Sequence, residues 1–448
     1  MSHVWLLNKG LKPLVFKYLI FAFLLTLFIF PVSAQESSLS VDVSQLVGTI
    51  NPFVYGVNYG PWAIVPVDMW PMAEASGITY FRFPAGEYGD DHDVTEQQID
   101  LFVTQAHQWH AEPSISVRLK QGTPDAAAKL VHYANIEKGY NIHYWGIGNE
   151  PDLYKTRDPN YSTFTLEQFN KDWRSIALAM RAVDPKILLI GPEISQYPPT
   201  VAGNTYNNVR REWVRSFLKA NGDLVDIVSI HRYPFPVTKN DPPRTTAQLG
   251  ASALEWDIII PNLRQLIQDT VGHDLPIAIT EINSEWSNSS GGEATPDSFY
   301  NAVWWADVLG RLIRSQVQIV NYFHMASYSS LGPLGLISRD DVRPTYYVYQ
   351  LYRQFGSELF TSASLDKDVT VTAAKKEDGS LTLMVVNRGS DAKTLPISLK
   401  GFTPSGEAVV WLLDKDHKAE NIGTQNLNTG KVSLLAESVT LYIIPASK

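Results

Sequence analysis

Trp145-Gly146-Ile147-Gly148-Asn149-Glu150-Pro151 and Ile277-Ala278-Ile279-Thr280-Glu281-Ile282-Asn283 are the stretches whose reading decides the fold. Each is a short apolar run that delivers a glutamate at its end. Strands of a parallel sheet, covered on both faces, read as unbroken apolar runs of this kind. Their carboxyl ends are where an α/β barrel gathers its reactive groups. Two glutamates brought to one rim can serve as proton donor and nucleophile on a glycosidic bond.

Similar runs recur on both sides, at 53–58, 78–83, 113–118, 143–149, 187–192, 226–231, 276–281 and 318–324, eight in all. Amphipathic stretches separate them at 96–109, 123–137, 166–183, 207–220, 253–271 and 296–315, and 344–354 closes the series. Strand and helix signals in alternation imply right-handed βαβ units around a parallel sheet. The expected fold is α/β, a (β/α)₈ TIM barrel over residues 51–356. After Phe355 the pattern changes to short alternating runs at 369–374, 381–387, 395–399, 407–413, 431–435 and 438–444, with turns such as Glu377-Asp378-Gly379-Ser380 between them. That predicts a C-terminal antiparallel β-sandwich domain over 357–448. Segment 35–50 also alternates and is expected to add a strand to the sandwich.

The first residues stand apart. Lys9, Lys12 and Lys17 precede an apolar stretch from Tyr18 to Val32, broken by Thr26 and Pro31, and Val32-Ser33-Ala34 follows with small residues. This is the layout of a signal peptide over residues 1–34. The alternative, a retained anchor, is disfavoured because the run falls short of the ~20 apolar residues that span a bilayer. The expected protein is secreted, extracellular or periplasmic, without stable membrane association once cleaved. A formal charge of −9 without a basic patch argues against nucleic acid and anionic membranes as partners. With no cysteine, neither disulfides nor thiolate chemistry is available. The 12 Trp and 21 Tyr offer aromatic faces for stacking on sugars or for filling a barrel.

Cleaving a glycosidic bond near neutral pH needs one carboxyl that carries a proton and one carboxylate opposite it. Glu150 is the expected proton donor, with Asn149 beside it to bond a sugar hydroxyl and Pro151 turning the chain out of the strand. Glu281 is the expected nucleophile. Either alone could merely pair with a barrel cation such as Arg82; their joint placement on the fourth and seventh strands points to catalysis.

In these residues the chain resembles the clan A glycoside hydrolases. Their retaining members carry the acid/base after an Asn at the end of strand four and the nucleophile at the end of strand seven, which Gly148-Asn149-Glu150-Pro151 and Thr280-Glu281 match. Phe81-Arg82-Phe83-Pro84-Ala85-Gly86 on strand two and Ser229-Ile230-His231-Arg232-Tyr233 on strand six extend the likeness. The arrangement is similar to the arabinofuranosidase, xylosidase, heparanase-like glucuronidase and family 44 endoglucanase branches. It implies retaining, cofactor-free hydrolysis of a polysaccharide or oligosaccharide. It further implies that Arg82 lies under Glu281 and keeps it ionised, and that His231 and Tyr233 face the sugar or orient Glu281. Those branches often have Gly-Gly where this chain has Ala85-Gly86, a departure that narrows the loop and alters the sugar subsite.

Other residues carry weaker signals. Glu87, Asp90, Asp91 and Asp93 follow strand two and could bind hydroxyls or simply be solvated. Glu193 and Glu285 are the rivals for catalytic duty, and Arg118 and Lys120 could receive a uronic-acid carboxylate. Trp62, Trp286 and His324 are candidate cleft walls, with Trp286 the one taken as substrate-binding. His107 and His110 share a helix face without acidic or Cys ligands, so no metal site is expected. No phosphate loop or dinucleotide fingerprint is present. Asn160-Tyr161-Ser162 and Asn288-Ser289-Ser290 fit glycosylation sequons. The alternative to an enzyme is a non-catalytic polysaccharide-binding protein on the same scaffold.

Overall fold

The computed structural model describes residues 38–446 apart from 200–204, 236–240, 243, 329 and 330. The expected signal peptide, residues 1–34, lies outside the described residues. Strand β1 (Leu39–Thr49) belongs to a C-terminal sheet, and the next eight strands close a parallel barrel. They are β2 (Gly56–Asn58), β3 (Tyr80–Phe83), β4 (Glu112–Val117), β5 (Tyr144–Ile147), β6 (Leu188–Ile194), β7 (Ile227–Arg232), β8 (Ile277–Ile282) and β9 (Ile319–Tyr322). Closure comes from β2 pairing with β9, Gly56 opposite Asn321 and Val57 opposite Tyr322. Every residue of β3, β8 and β9 is buried, the two-sided covering that the unbroken apolar runs require.

The helices between the strands start where side chains can accept free N–H groups. Thr95 and Gln98 form a reciprocal capping box at the head of Glu96–Gln108. Two helices differ from the sequence reading. The stretch 123–137 is helical over Pro124–Val131 and then widens to a π turn over His132–Glu137. There Asn135 accepts from Ile142 N at 2.8 Å and donates to Ile142 O at 2.9 Å, which ties the turn to the chain beyond it. The stretch 253–271 opens with a 3₁₀ turn, Ala253–Glu255, before the α-helix Trp256–Val271. The helices Trp70–Ala75, Tyr88–Asp91, Tyr154–Arg157 and Thr246–Ser252 went unread, being too short to show a period of 3.6.

The C-terminal sheet contains β10 (Glu358–Ser364), β11 (Val369–Lys375), β12 (Leu381–Asn387), β13 (Lys393–Lys400), β14 (Ala408–Leu413), β15 (Lys418–Gln425), β16 (Lys431–Leu434) and β17 (Ser438–Ile444). With β1 the order is β15-β14-β17-β12-β11-β10-β1-β13-β16, antiparallel throughout except for the β1–β13 pair. Val41, Phe360, Val371, Leu383, Val385, Val432 and Tyr442 contribute to its own core.

Helix Phe299–Arg314 joins this sheet to the barrel. It is buried from Tyr300 to Ile313, with the barrel on one side and β11, β12 and β17 on the other. A helix covered on all sides is apolar all round, and its few charges must be paired. Asp307 accepts from Arg311 Nε at 3.1 Å and from Thr370 Oγ1 at 2.8 Å, and ion-pairs with Arg388 Nε at 2.9 Å. Met384, Val386, Leu413, Val439 and Leu441 pack into the same apolar cluster as the barrel residues.

Candidate active site

The carboxyl ends of five barrel strands meet around one buried cation. Arg82, on β3, donates Nη1 to Glu281 Oε1 at 2.9 Å and to Asn58 Oδ1 at 3.1 Å. Its Nη2 donates to Asn149 Oδ1 at 2.9 Å and ion-pairs with Glu193 Oε2 at 2.9 Å. Beneath the same group lies His231, on β7 and fully buried. Its Nε2 is 3.0 Å from Glu193 Oε2, and its Nδ1 is 3.1 Å from Glu150 Oε1 and 3.6 Å from Glu281 Oε2. Tyr233 donates its hydroxyl to Glu281 Oε2 at 2.9 Å.

Local backbone geometry delivers the glutamate of β5. Gly148 has φ +80°, and a Cβ there would lie 2.7 Å from Leu119 Cβ, so only glycine fits. Glu150 itself has φ 47°, in the left-handed region that costs a residue with a side chain energy, a strain found concentrated at functional sites. Its N–H donates to Glu193 O at 2.9 Å, which fixes the conformation. The buried Asp90 takes the N–H groups of Asn149 at 2.6 Å, Leu119 at 2.8 Å and Lys120 at 3.1 Å, together with the Tyr154 hydroxyl. Asp90 is therefore a clamp on three strand-end segments and not a hydroxyl ligand.

Charge decides the protonation of this cluster. Burial works against a charged imidazole at His231, but Glu281, Glu150 and Glu193 outweigh it and push its pKa up to about 10. His231 is an imidazolium at neutral pH and donates from both nitrogens. Burial raises Glu193, yet the charge of Arg82 and the bond from His231 bring it down to about 2. At Glu150 burial again opposes ionisation, and His231 and then Arg157 overcome it, so the carboxyl lies below its usual range. The sequence reading required a donor that keeps its proton; in the open site Glu150 is held ionised. Glu150, His231 and Glu281 each offer a ligand atom within 4.8 Å of the others, the one such cluster among the described residues. A metal there would have to displace the proton on His231 Nδ1.

A cleft of about 530 Å³ opens over the cluster, lined among others by Asn149, Glu150, Tyr233, Glu281, Trp62 and Trp286. Trp286 is half exposed. Trp62 stacks on Phe323 at 5.8 Å between ring centroids and meets His324 edge-on at 4.5 Å. Burial and the nearby Arg343 push His324 down to about 3, so it is neutral. Ala85 also lines the cleft, where its methyl takes space that glycine would leave open.

Several candidates stand elsewhere. Glu285 accepts from Ser287 Oγ at 2.9 Å and from Ser289 N at 3.1 Å, which folds its own loop and keeps it off the cleft wall. Arg118 is turned to Asp93 at 3.4 Å and the carbonyls of Asp90 and Lys120, and Lys120 to Asp91 at 2.9 Å and Asp158 at 3.1 Å. Neither lines the cleft, so the expectation that they receive a uronate is corrected. Glu193, 1% exposed beneath Arg82 and His231, is the buried counter-ion of both and no rival nucleophile. His110 faces Glu74 at 3.9 Å and is not among the three clustered residues. Sequence reasoning missed Arg157, which ion-pairs with Glu150 Oε2 at 2.8 Å and with Glu87.

The profile of glycosyl hydrolases family 39 matches residues 134–386, more than half of the chain and inclusive of both glutamates. The chain belongs to glycosyl hydrolases family 39. It is a glycoside hydrolase of clan A, and its substrate is a carbohydrate. An exo-α-(1→6)-L-arabinofuranosidase of Bifidobacterium longum is 25% identical over 431 residues, covering 79% of this chain and 80% of that protein. The heparanase of Rattus norvegicus is 25% identical over 289 residues, 60% of this chain and about half (49%) of the heparanase. Among solved structures, a bifunctional glucanase-xylanase from a metagenome library superposes with a TM-score of 0.73 at 18% identity, over 92% of this chain and 99% of that one. An α-L-arabinofuranosidase of Thermotoga maritima gives 0.70 at 18% identity, over 91% and 99%. These superpositions extend across barrel and sheet and establish the fold. No helix among the described residues is long and apolar enough to cross a membrane.

Proposed function

We propose that this member of family 39 is an exported, retaining hydrolase of oligosaccharides or polysaccharides, with Glu281 as nucleophile and Glu150 as acid/base. One observation carries the reading: oxygens of Glu150 and Glu281 lie within 4.8 Å of each other. Carboxyl groups ~5–5.5 Å apart leave no room for a water between carboxylate and sugar, whereas inverting enzymes need ~6.5–9.5 Å. Glu281 then attacks the anomeric carbon while a proton on Glu150 passes to the departing oxygen. An ester of sugar and Glu281 forms. Glu150, now a carboxylate, takes a proton from water, which attacks the same carbon and releases Glu281. Two inversions leave the configuration unchanged. Arg82 and Tyr233 fix the two oxygens of Glu281, and Asn149 and Trp286 supply a polar and a stacking contact to the sugar.

α-L-Arabinofuranosides are the first substrates to try, because the relative matched over most of both chains is named for that activity. Proton NMR of the first-formed product is expected to show retention, and a 2-fluoro glycoside of the hydrolysed sugar is expected to label Glu281. Net inversion, or a label on Glu193 or Glu285, overturns the assignment. Export rests on the basic, apolar and small-residue order of the first 34 residues. N-terminal sequencing of the processed protein is expected to begin at Gln35; an intact Met1 in the membrane fraction would count against it.

A further inference from the structure

Each oxygen of Glu150 already faces a cation, which opposes a proton on that carboxyl. His231 Nδ1 takes Oε1 at 3.1 Å and Arg157 Nη1 takes Oε2 at 2.8 Å. A leaving oxygen that is to receive a proton from Glu150 must reach one of them. His231 cannot yield, since it is fully buried and bonded to Glu193 as well. Arg157 can: its side chain is 43% exposed, it lines the cleft, and the same Nη1 already pairs with Glu87, whose side chain is 59% exposed.

We propose that Arg157 is a positioning residue of the acid/base, a cation shared between Glu150 and Glu87, whose withdrawal toward Glu87 lets Glu150 take up the proton it must give. The proposal rests on the reading of Glu150 as acid/base. Arg157 ends the short helix Tyr154–Arg157, one turn beyond Pro151–Leu153, so it is tethered close to Glu150 and remains at the mouth. One cation serving two carboxylates leaves one of them under-compensated in either position. The two half-reactions ask for both states in turn, a carboxylic acid when the bond to the leaving group breaks and a carboxylate when water attacks. With Arg157 on Glu150 the carboxylate is favoured; with Arg157 on Glu87 and the leaving sugar in its place, the balance moves toward the acid. No bond is made or broken by Arg157. The other charged and titratable groups around Glu150 are Arg82 through Asn149, Asp152 in its own loop, Glu193 on β6, His231 on β7, Tyr233 just beyond it and Glu281 on β8. All are buried.

The test is the pH dependence of kcat/KM on a glycoside with a poor leaving group, whose basic limb reports the acid in the free enzyme. A guanidinium beside a carboxylate lowers its pKa by about 1–3 units. Arg157→Ala is expected to move the basic limb up by about one unit or more, Arg157→Lys to leave it near the parent, and Glu87→Gln to move it down. Shifts of opposite sign from two neighbouring exposed residues are not what a loosened loop gives. An unmoved limb in Arg157→Ala, or shifts of the same sign in Arg157→Ala and Glu87→Gln, overturns the proposal. Glu150→Ala, assayed on an activated glycoside, separates the two failures. If its basic limb stays where the parent's is, the reading of Glu150 is what fell; if that limb is abolished while Arg157→Ala leaves the parent limb in place, only the role of Arg157 did.

Discussion

Tyr233 holds one oxygen of Glu281 while Arg82 holds the other, at 2.9 Å in each case. The carboxylate is thereby fixed in rotation, with its free lone pairs turned to the cleft. Removing the tyrosine hydroxyl deletes one charged hydrogen bond, worth about 1.5–3 kcal/mol. Tyr233→Phe is expected to lower kcat by roughly 10–100-fold on an aryl glycoside, a loss consistent with that energy, and to leave the melting temperature nearly unchanged. A variant with full kcat would remove Tyr233 from the orientation of the nucleophile.

Glu150→Ala takes away the proton that the leaving oxygen needs. The expected loss is ~10²–10⁴-fold on alkyl or sugar leaving groups, the usual worth of general acid catalysis. Nitrophenyl leaving groups, which depart without help, are expected to suffer far less in the bond-breaking step. Equal losses on both, measured as kcat/KM, would exclude Glu150 as the donor.

The pH profile of stability follows from His231. Its folded value, about 10, lies above the ordinary 6.5. Between those two values the folded protein holds one proton more than the unfolded chain, so stability falls as pH rises. The contribution is complete below pH 6.5 and gone above about 10. Glu193 acts in the opposite sense: lowered from 4.5 to about 2, it stabilises above pH 4.5 and loses its effect as the pH falls toward 2. Denaturant midpoints measured across the alkaline window are expected to fall more steeply in the parent than in His231→Gln. Parallel slopes would show that the imidazolium is not formed.

Asp307 ties the barrel helix to the sheet through Arg388 and Thr370. Asp307→Ala leaves the buried Arg388 guanidinium without its carboxylate while Arg311 keeps Asp257, and breaking a buried pair from one side costs about 3–5 kcal/mol. A large drop in melting temperature is expected, without change in the pH dependence of kcat/KM. Cutting the chain after Phe355 would bare the apolar face of the same helix, and the truncate is expected to aggregate. A soluble and active truncate would show the join to be dispensable.

The barrel was legible because buried parallel strands are continuous in sequence: each of the eight expected runs overlaps one observed strand. The meeting of Arg82, Glu150, His231, Tyr233 and Glu281 could be expected from strand ends alone, since each lies at or just after one. Side chains that depend on where a short loop points were not legible. Asp90 lay among four acids, and only three-dimensional packing singles it out as the one whose carboxylate is filled by backbone N–H groups. Arg157 lies on a four-residue helix that has no period to read. Strand β15 was invisible because Lys418–Gln425 is mostly exposed and largely polar, as an edge strand is. Arg118 and Lys120 carry the right charge for an anion, but nearby acids consume it.

The imidazolium of His231 touches Glu150, Glu193 and Glu281 together, and this has a consequence for how such a centre can change over generations. Replacing any one of the three alters what the remaining two are able to hold, so the effects of single and double replacements there will not add. Ala85 and Trp286, which line the cleft outside that cluster, can each be exchanged one at a time. A change of sugar preference at those positions leaves the charge balance of the cluster beneath untouched.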